Sequence, residues 1–272
     1  MLHKISQSEY SDILEVAHEM ADAARAAILP LFRSTVLSAD NKLAQGFDPV
    51  TQADRAAEQA MRDILARRRP QDAILGEEFA QKSGTSPYRW VLDPIDGTRA
   101  FLCGAPTWGV LIALEYDQKG PVFGMIDQPY TGERFAGYGD TAWLNTMQGS
   151  VDLSTSQRQK LDDAILCSTF PEIGTRDEKQ AFDQVAQRCK LIRYGLDCYA
   201  YALLAAGHID LVIEAGLNAY DVQAPIAVIQ AAGGVVTNWS GGPAHDGGQI
   251  IAAANPVLHR QAISFLQPYA VG

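Results

Sequence analysis

Nowhere in its 272 residues does the chain carry an apolar run long enough to span a bilayer, and its first residues lack the basic and apolar regions of a signal peptide. No membrane partner is expected, and the cytoplasm is the expected address. Positive charge is scarce: 22 lysines and arginines stand against 32 aspartates and glutamates, a formal net charge of -10. That balance argues against nucleic acid or an anionic membrane surface as a partner. Cys103, Cys167, Cys189 and Cys198 are scattered, with no Cys-x-x-Cys pair and no histidine cluster beside them, so reduced thiols fit better than disulfides or zinc. His3, His18, His208, His245 and His259 are equally dispersed and receive no metal or catalytic role. A Gly-x-x-x-x-Gly-Lys-Ser/Thr loop and a Gly-x-Ser-x-Gly elbow are both missing, which removes support for a nucleoside triphosphatase or a serine hydrolase. What the chain does have is apolar content, 47% of its residues, enough for one large core or two closely packed halves.

The most informative stretch runs from Trp90 to Phe101. Trp90, Val91 and Leu92 are strand formers, and Asp93-Pro94 is expected to end the strand because proline has no N–H and restricts the residue before it. Asp93 and Asp96 would then emerge together at a strand end, where clustered carboxylates call for a neutralising cation of the Mg²⁺ type. Gly97-Thr98 follows at once, and successive N–H groups in such a turn can cradle phosphate oxygens. The same letters also suit an ordinary surface turn. Other acids stand in comparable places: Gly76-Glu77-Glu78 follows the apolar run Ala73-Ile74-Leu75, Asp221 opens a helical stretch, and Asp54 lies near the start of another.

In chain order, apolar residues at three- and four-residue steps predict a helix from Ser8 to about Phe32, and a polar loop, expected to be mobile, lies between Ser34 and Val50. Thr51 and Asp54 form a capping box for a second helix. Strands over 107–115, 120–128 and 133–138 read as an antiparallel meander. A second half then alternates strands near 164–167, 191–193, 209–214, 235–237 and 249–253 with helices over 177–188, from Asp197 to Gly207, over 220–232, and after Asn255-Pro256. The expected division is 1–149, carrying most of the acidic cluster, and 150–272, carrying Asp221. The fold class is α/β or α+β, a layered sandwich.

Gly76-Glu77-Glu78, Asp93 to Thr98, and Tyr220-Asp221-Val222-Gln223-Ala224 together resemble the inositol monophosphatase family, whose pattern has tryptophan and no glutamine in the last motif. The resemblance implies an α-β-α-β-α sandwich shared with fructose-1,6-bisphosphatase, and a Mg²⁺-dependent phosphomonoesterase with two or three ions per site. It implies metal ligation by Glu77, Asp93, Asp96, Asp221 and the carbonyl of Ile95, catalytic roles for Glu77, Thr98 and Asp54, a lysine such as Lys42 leaning toward the site, and a homodimer. Substrate contacts would come from Glu77, Asp96, Gly97, Thr98, Arg193, Asp197, Glu214 and Asp221. Phe47 to Thr51, Arg99-Ala100-Phe101, Ile126 to Pro129, Thr131 to Arg134 and Asp197 to Tyr201 look more like the histidinol-phosphate phosphatase branch, which points to histidine biosynthesis. That substrate carries an amine that Asp197 and Glu214 could bind, although Asp197 also suits a plain helix N-cap. Leu196 departs from the family's glycine. Inositol 1-phosphate hydrolysis is the alternative, and an inactive binding protein with the same fold the remote one.

Overall fold

Residues 6–34, 39–41 and 49–271 are described by the computed structural model of the chain, so the readings on Lys42, Phe47 and Asp48 lie outside the described residues. Helix α1 (Gln7–Ile28) is capped by Ser6, whose hydroxyl accepts the Glu9 N–H at 3.2 Å. It ends a turn short of the expected Phe32, because Pro30 has no N–H to continue it and Arg33 takes a left-handed φ of 58°. The segment expected to be a polar loop contains β1 (Ala39–Asn41) paired antiparallel with β2 (Pro49–Thr51), a correction to that reading. Thr51 then caps α2 (Gln52–Arg68) through the expected box with Asp54.

A seven-stranded sheet follows, in the order of the chain: β3 (Ala73–Gly76), β4 (Tyr88–Asp96), β5 (Gly109–Tyr116), β6 (Pro121–Gln128), β7 (Glu133–Tyr138), β8 (Thr141–Thr146) and β9 (Gly149–Asp152). β3 runs parallel to β4, and β4 to β9 form an antiparallel meander. β4 does not stop at Asp93-Pro94. Its ladder with β5 shifts register between Asp93 and Asp96 and resumes at the Asp96 and Gly109 pair, so the proline sits in a bulge, where a missing N–H is tolerated. β8 and β9 were not expected: β9 is an exposed edge strand with no buried residue to mark it, and it straddles the 149/150 division. The short helix α3 (Thr98–Cys103) leaves the end of β4.

The remaining chain builds a five-stranded sheet from β10 (Ile165–Ser168), α4 (Arg176–Ala186), β11 (Leu191–Tyr194), α5 (Cys198–Ala205), β12 (Leu211–Asn218), α6 (Ala219–Ala231), β13 (Val235–Asn238), β14 (Gly247–Ala253) and α7 (Pro256–Leu266). Its strand order is β11-β10-β12-β14-β13, with β10 parallel to both neighbours. The strands alternate their faces between three cores. Trp90, Leu92, Val110 and Ile112 pack with α1 and α2, whereas Val91, Leu111 and Ala113 face the α5 and α6 layer. Val212, Ile250 and Ala252 of the second sheet meet that same layer from the other side, and Leu211, Ile213, Ile251 and Ala253 pack with α4 and α7. The result is the expected α-β-α-β-α sandwich. Because both faces of the central strands are covered, those strands read as continuous apolar runs rather than as polar and apolar alternation.

Helix α6 lies flush on the first sheet at a pair of cross-strand glycines, Gly124 and Gly137. A β-carbon at Gly124 would stand 2.4 Å from the Ala224 carbonyl oxygen, and one at Gly137 would stand 2.6 Å from the Val228 α-carbon. Backbone cannot yield as a side chain can, so Gly137→Ala should lift α6 and cost about 1 to 3 kcal/mol by overpacking. As α6 carries Asp221, the same variant should bind divalent cations more weakly. Thermal melts in chelator and a calorimetric Mg²⁺ titration measure the two effects; wild-type values in both would mean that the glycine pair does not seat the helix.

Candidate active site

Each acid of the cluster is delivered by a different local device. Asp93, 2% exposed, lies in the β4 bulge, where its carboxylate accepts the N–H of Ile95 at 3.0 Å. Asp96, at the end of the same strand, accepts the N–H of Cys198, the first residue of α5. Asp221 sits in the first turn of α6 and accepts the N–H of Asn218 at 2.6 Å in a capping box. Carboxylate oxygens of Asp93, Asp96 and Asp221 come within 4.8 Å of one another. Glu77 follows β3, in a turn held from below by Glu58 of α2. The buried Glu58 carboxylate accepts the Glu78 N–H and the Arg62 Nε–H, both at 2.7 Å. A β-carbon at residue 76 would lie 2.0 Å from Glu58 Oε1, which is why glycine precedes the two glutamates.

The cluster is electrostatically unfavourable by itself. Burial pushes the Asp93 carboxyl well above the usual carboxylate range, and the nearby charges of Glu77, Asp96 and Asp221 push it further. Asp96 is raised by burial and by Asp197 and Asp221, with the Cys198 hydrogen bonds opposing. Two carboxyls that burial and crowding bias toward the protonated form, with a third beside them and only oxygen donors among the three, suit a hard divalent cation able to replace those protons.

Beside the cluster, Gly97 takes φ 87° at the N-cap of α3, and a β-carbon there would stand 2.9 Å from Asp197. The Thr98 hydroxyl lies 3.1 Å from the Ile95 carbonyl oxygen and 3.4 Å from Asp54 Oδ1. Asp54 Oδ2 meanwhile accepts the Thr51 N–H at 2.9 Å. One carboxylate thus caps α2 and reaches Thr98, so the structural and site readings of Asp54 coexist.

From here a cavity of about 270 Å³ opens, bounded by Asp96, Gly97, Thr98 and Asp221 on one side and by Asp197 and Glu214 on another. Burial pushes Glu214 up to about 7, against the Thr169 N–H and hydroxyl that donate to its Oε1 at 2.9 and 2.7 Å. Asp197 is pushed up to about 6 by burial, with Thr107 and Arg99 opposing. Although Asp197 occupies the N-cap position of α5, its side chain makes no capping hydrogen bond and its φ is 48°. Its carboxylate instead accepts from the Thr107 hydroxyl at 3.3 Å, so the N-cap reading fails. Arg193 is not brought to the cavity: it is exposed on the edge strand β11. Arg99, Thr169, Phe170 and Tyr201 line the cavity and were missed, and the Tyr201 hydroxyl is buried with no hydrogen-bond partner among the described residues. A signal existed for Thr169 and Phe170, which follow the carboxyl end of a strand in a parallel arrangement, where α/β ligands gather.

The model of the inositol monophosphatase family matches residues 9–269. A chloroplastic bifunctional phosphatase of Arabidopsis thaliana is 38% identical, over 97% of this chain and 78% of its own. A histidinol-phosphatase of Streptomyces coelicolor is 35% identical, over 95% of this chain and 98% of its own. Among solved structures, an inositol monophosphatase from Zymomonas mobilis superposes with a TM-score of 0.83 at 39% identity, covering 97% of this chain and all of that one.

The Glu214 shift has a measurable consequence in metal-free protein. Its folded value of about 7 exceeds the ordinary 4.5, so below pH 4.5 both folded and unfolded states are protonated and nothing is lost. As pH rises from 4.5 to 7 the unfolded state releases its proton first, and the folded state loses roughly 1 to 3 kcal/mol. Glu214→Gln retains an oxygen acceptor for Thr169 and removes the charge. It should raise Tm at pH 8 in chelator and leave it unchanged at pH 4; equal melts at pH 8 would show that Glu214 carries no such penalty.

Proposed function

The chain belongs to the inositol monophosphatase family and is a phosphatase of small phosphate esters, and we propose that its own substrate is L-histidinol phosphate, cleaved to L-histidinol and phosphate in histidine biosynthesis. The observation that carries this reading is Glu214: a buried carboxylate on the cavity wall whose acidic neighbours Asp197 and Asp221 raise its proton affinity further. A substrate ammonium supplies the positive charge that such a wall favours. Inositol 1-phosphate, an uncharged polyol apart from its phosphate, supplies none, although the 39% identity to the Zymomonas enzyme keeps it as the second reading.

In this proposal Glu77, Asp93, Asp96, Asp221 and the Ile95 carbonyl hold Mg²⁺, two or three ions per site. When bound, the ions neutralise the phosphate, lower the pKa of the attacking water and stabilise the departing oxygen. The chain's own groups do the rest. Glu77, beside Asp93, takes the proton of the attacking water. Thr98, with its hydroxyl proton directed to Asp54, offers its lone pairs to orient that water. The first-turn N–H groups of α3 after Gly97 hold phosphate oxygens, as helix starts do. Glu214 and Asp197 bind the ammonium, which places the ester over the acidic cluster. An inactive binding protein would have no need of the full acid set. Homodimer formation and a cytoplasmic address belong to the same proposal.

Activity should vanish in chelator and return with Mg²⁺, and Asp96→Asn should abolish most turnover while keeping the fold; full activity of metal-stripped protein would sink the mechanism. Charge-assisted hydrogen bonds are worth roughly 1.5 to 3 kcal/mol, about ten- to a hundredfold in kcat/KM. Asp197→Asn, which tolerates a left-handed φ, should therefore cost that factor on histidinol phosphate and much less on glycerol 2-phosphate. A wild-type protein that prefers inositol 1-phosphate would move the assignment to the second reading.

A further inference from the structure

The amine of the proposed substrate accounts for the acidic wall, and its phosphate, together with cations, for the acidic cluster, which leaves its third group, a flat imidazole, without a counterpart. One aromatic ring stands at the cavity and keeps much of its face in solvent: Phe170, 43% exposed, in the loop after β10. That ring is fixed from two sides. Its chain neighbour Thr169 is tied to Glu214 by two hydrogen bonds, at 2.9 and 2.7 Å. The guanidinium of Arg99 lies 4.8 Å from the Phe170 ring centroid. Arg99 follows Thr98 directly and also faces Asp197, whose charge it moderates. The ring is thus coupled at once to the phosphate turn, through Arg99, and to the ammonium wall, through Thr169 and Glu214.

We infer that the Phe170 ring, clamped by Arg99, is the seat of the substrate's imidazole and sets the preference for a planar aromatic group over a polyol. The inference rests on the histidinol phosphate reading. Its physical basis is that aromatic pairs gain from offset or edge contacts beyond the area they bury, whereas a puckered ring covered in hydroxyls loses water against an apolar face without that gain. Arg99 fits as well: a cation behind the ring favours an imidazole in its neutral form, which prevails near neutral pH. Because the imidazole is remote from the phosphorus, its seat contributes to ground state and transition state alike, and its loss should appear in KM rather than in kcat.

Phe170→Leu keeps an apolar side chain of similar reach at a half-exposed position and removes the π face; Phe170→Tyr restores the face. The ratio of kcat/KM for histidinol phosphate to that for glycerol 2-phosphate should fall about tenfold in Phe170→Leu, through KM, and return to within twofold of wild type in Phe170→Tyr. An unchanged ratio in Phe170→Leu, or a fall carried by kcat, would overturn the seat while leaving the substrate reading intact. A wild-type protein without histidinol phosphate turnover would overturn the reading and the seat with it.

Discussion

Mutual repulsion among Asp93, Asp96 and Asp221 is the constraint on which the arrangement turns, because three carboxyls crowded within 4.8 Å will not assemble unless something holds them. The holding is done by backbone. Asp93 accepts from Ile95, Asp96 from Cys198 and Asp221 from Asn218, one main-chain N–H for each side chain. Hydrogen bonds to a charged acceptor contribute more than neutral ones and orient the group, so each carboxylate is aimed while part of it remains available. A cluster built in this way favours protonation or cation binding over its bare ionised form. The fold supplies the geometry and a cation would supply the charge balance.

The five layers make that geometry possible. Asp93 and Asp96 come from the first sheet, Asp221 from the helical layer between the sheets, and the amide that holds Asp96 from the start of α5 in that same layer. The site is therefore a seam, and its spacing depends on how closely α5 and α6 approach the first sheet. Gly124 and Gly137 set that approach for α6, and Gly97 sets it against Asp197. Glycines far apart in sequence act on one distance. The Glu58 carboxylate beneath Gly76 does the equivalent work for Glu77.

Much of this was legible in the sequence because its signals are local. The capping box of Thr51 and Asp54, the Asn255 cap before Pro256, and the acid at the start of α6 each depend on residues within four positions. The layered order followed from strands and helices that alternate after the meander. The errors have physical sources. Pro94 looked like a strand end, yet a bulge accommodates it and the ladder resumes. β9 is an exposed edge, so burial left no imprint on its residues. The N-cap was only the alternative reading of Asp197, and it fails because the side chain's contacts are Thr107 and Gly97, some ninety to a hundred positions away. Phe170 carries no motif, and Arg99 and Tyr201 lie in stretches read for resemblance without a site role; only the fold brings the three to one cavity.

The acids of the site divide by what satisfies them. Those of the cluster are each held by a backbone amide and crowd one another, so their unmet demand is for concentrated positive charge, which a divalent ion provides. Glu214 and Asp197 accept from the hydroxyls of Thr169 and Thr107, with the Thr169 N–H adding to the first, and stand farther along the cavity wall, where Arg99 already moderates Asp197. Their demand is smaller, and both are poised near neutrality rather than far above it, Asp197 at about 6 and Glu214 at about 7. A single positive charge with N–H donors matches that smaller demand, and a second divalent ion would exceed it. The same residue types thus prepare two kinds of site along one cavity: one crowded enough to call for a divalent ion, and one whose milder demand a single positive charge would meet.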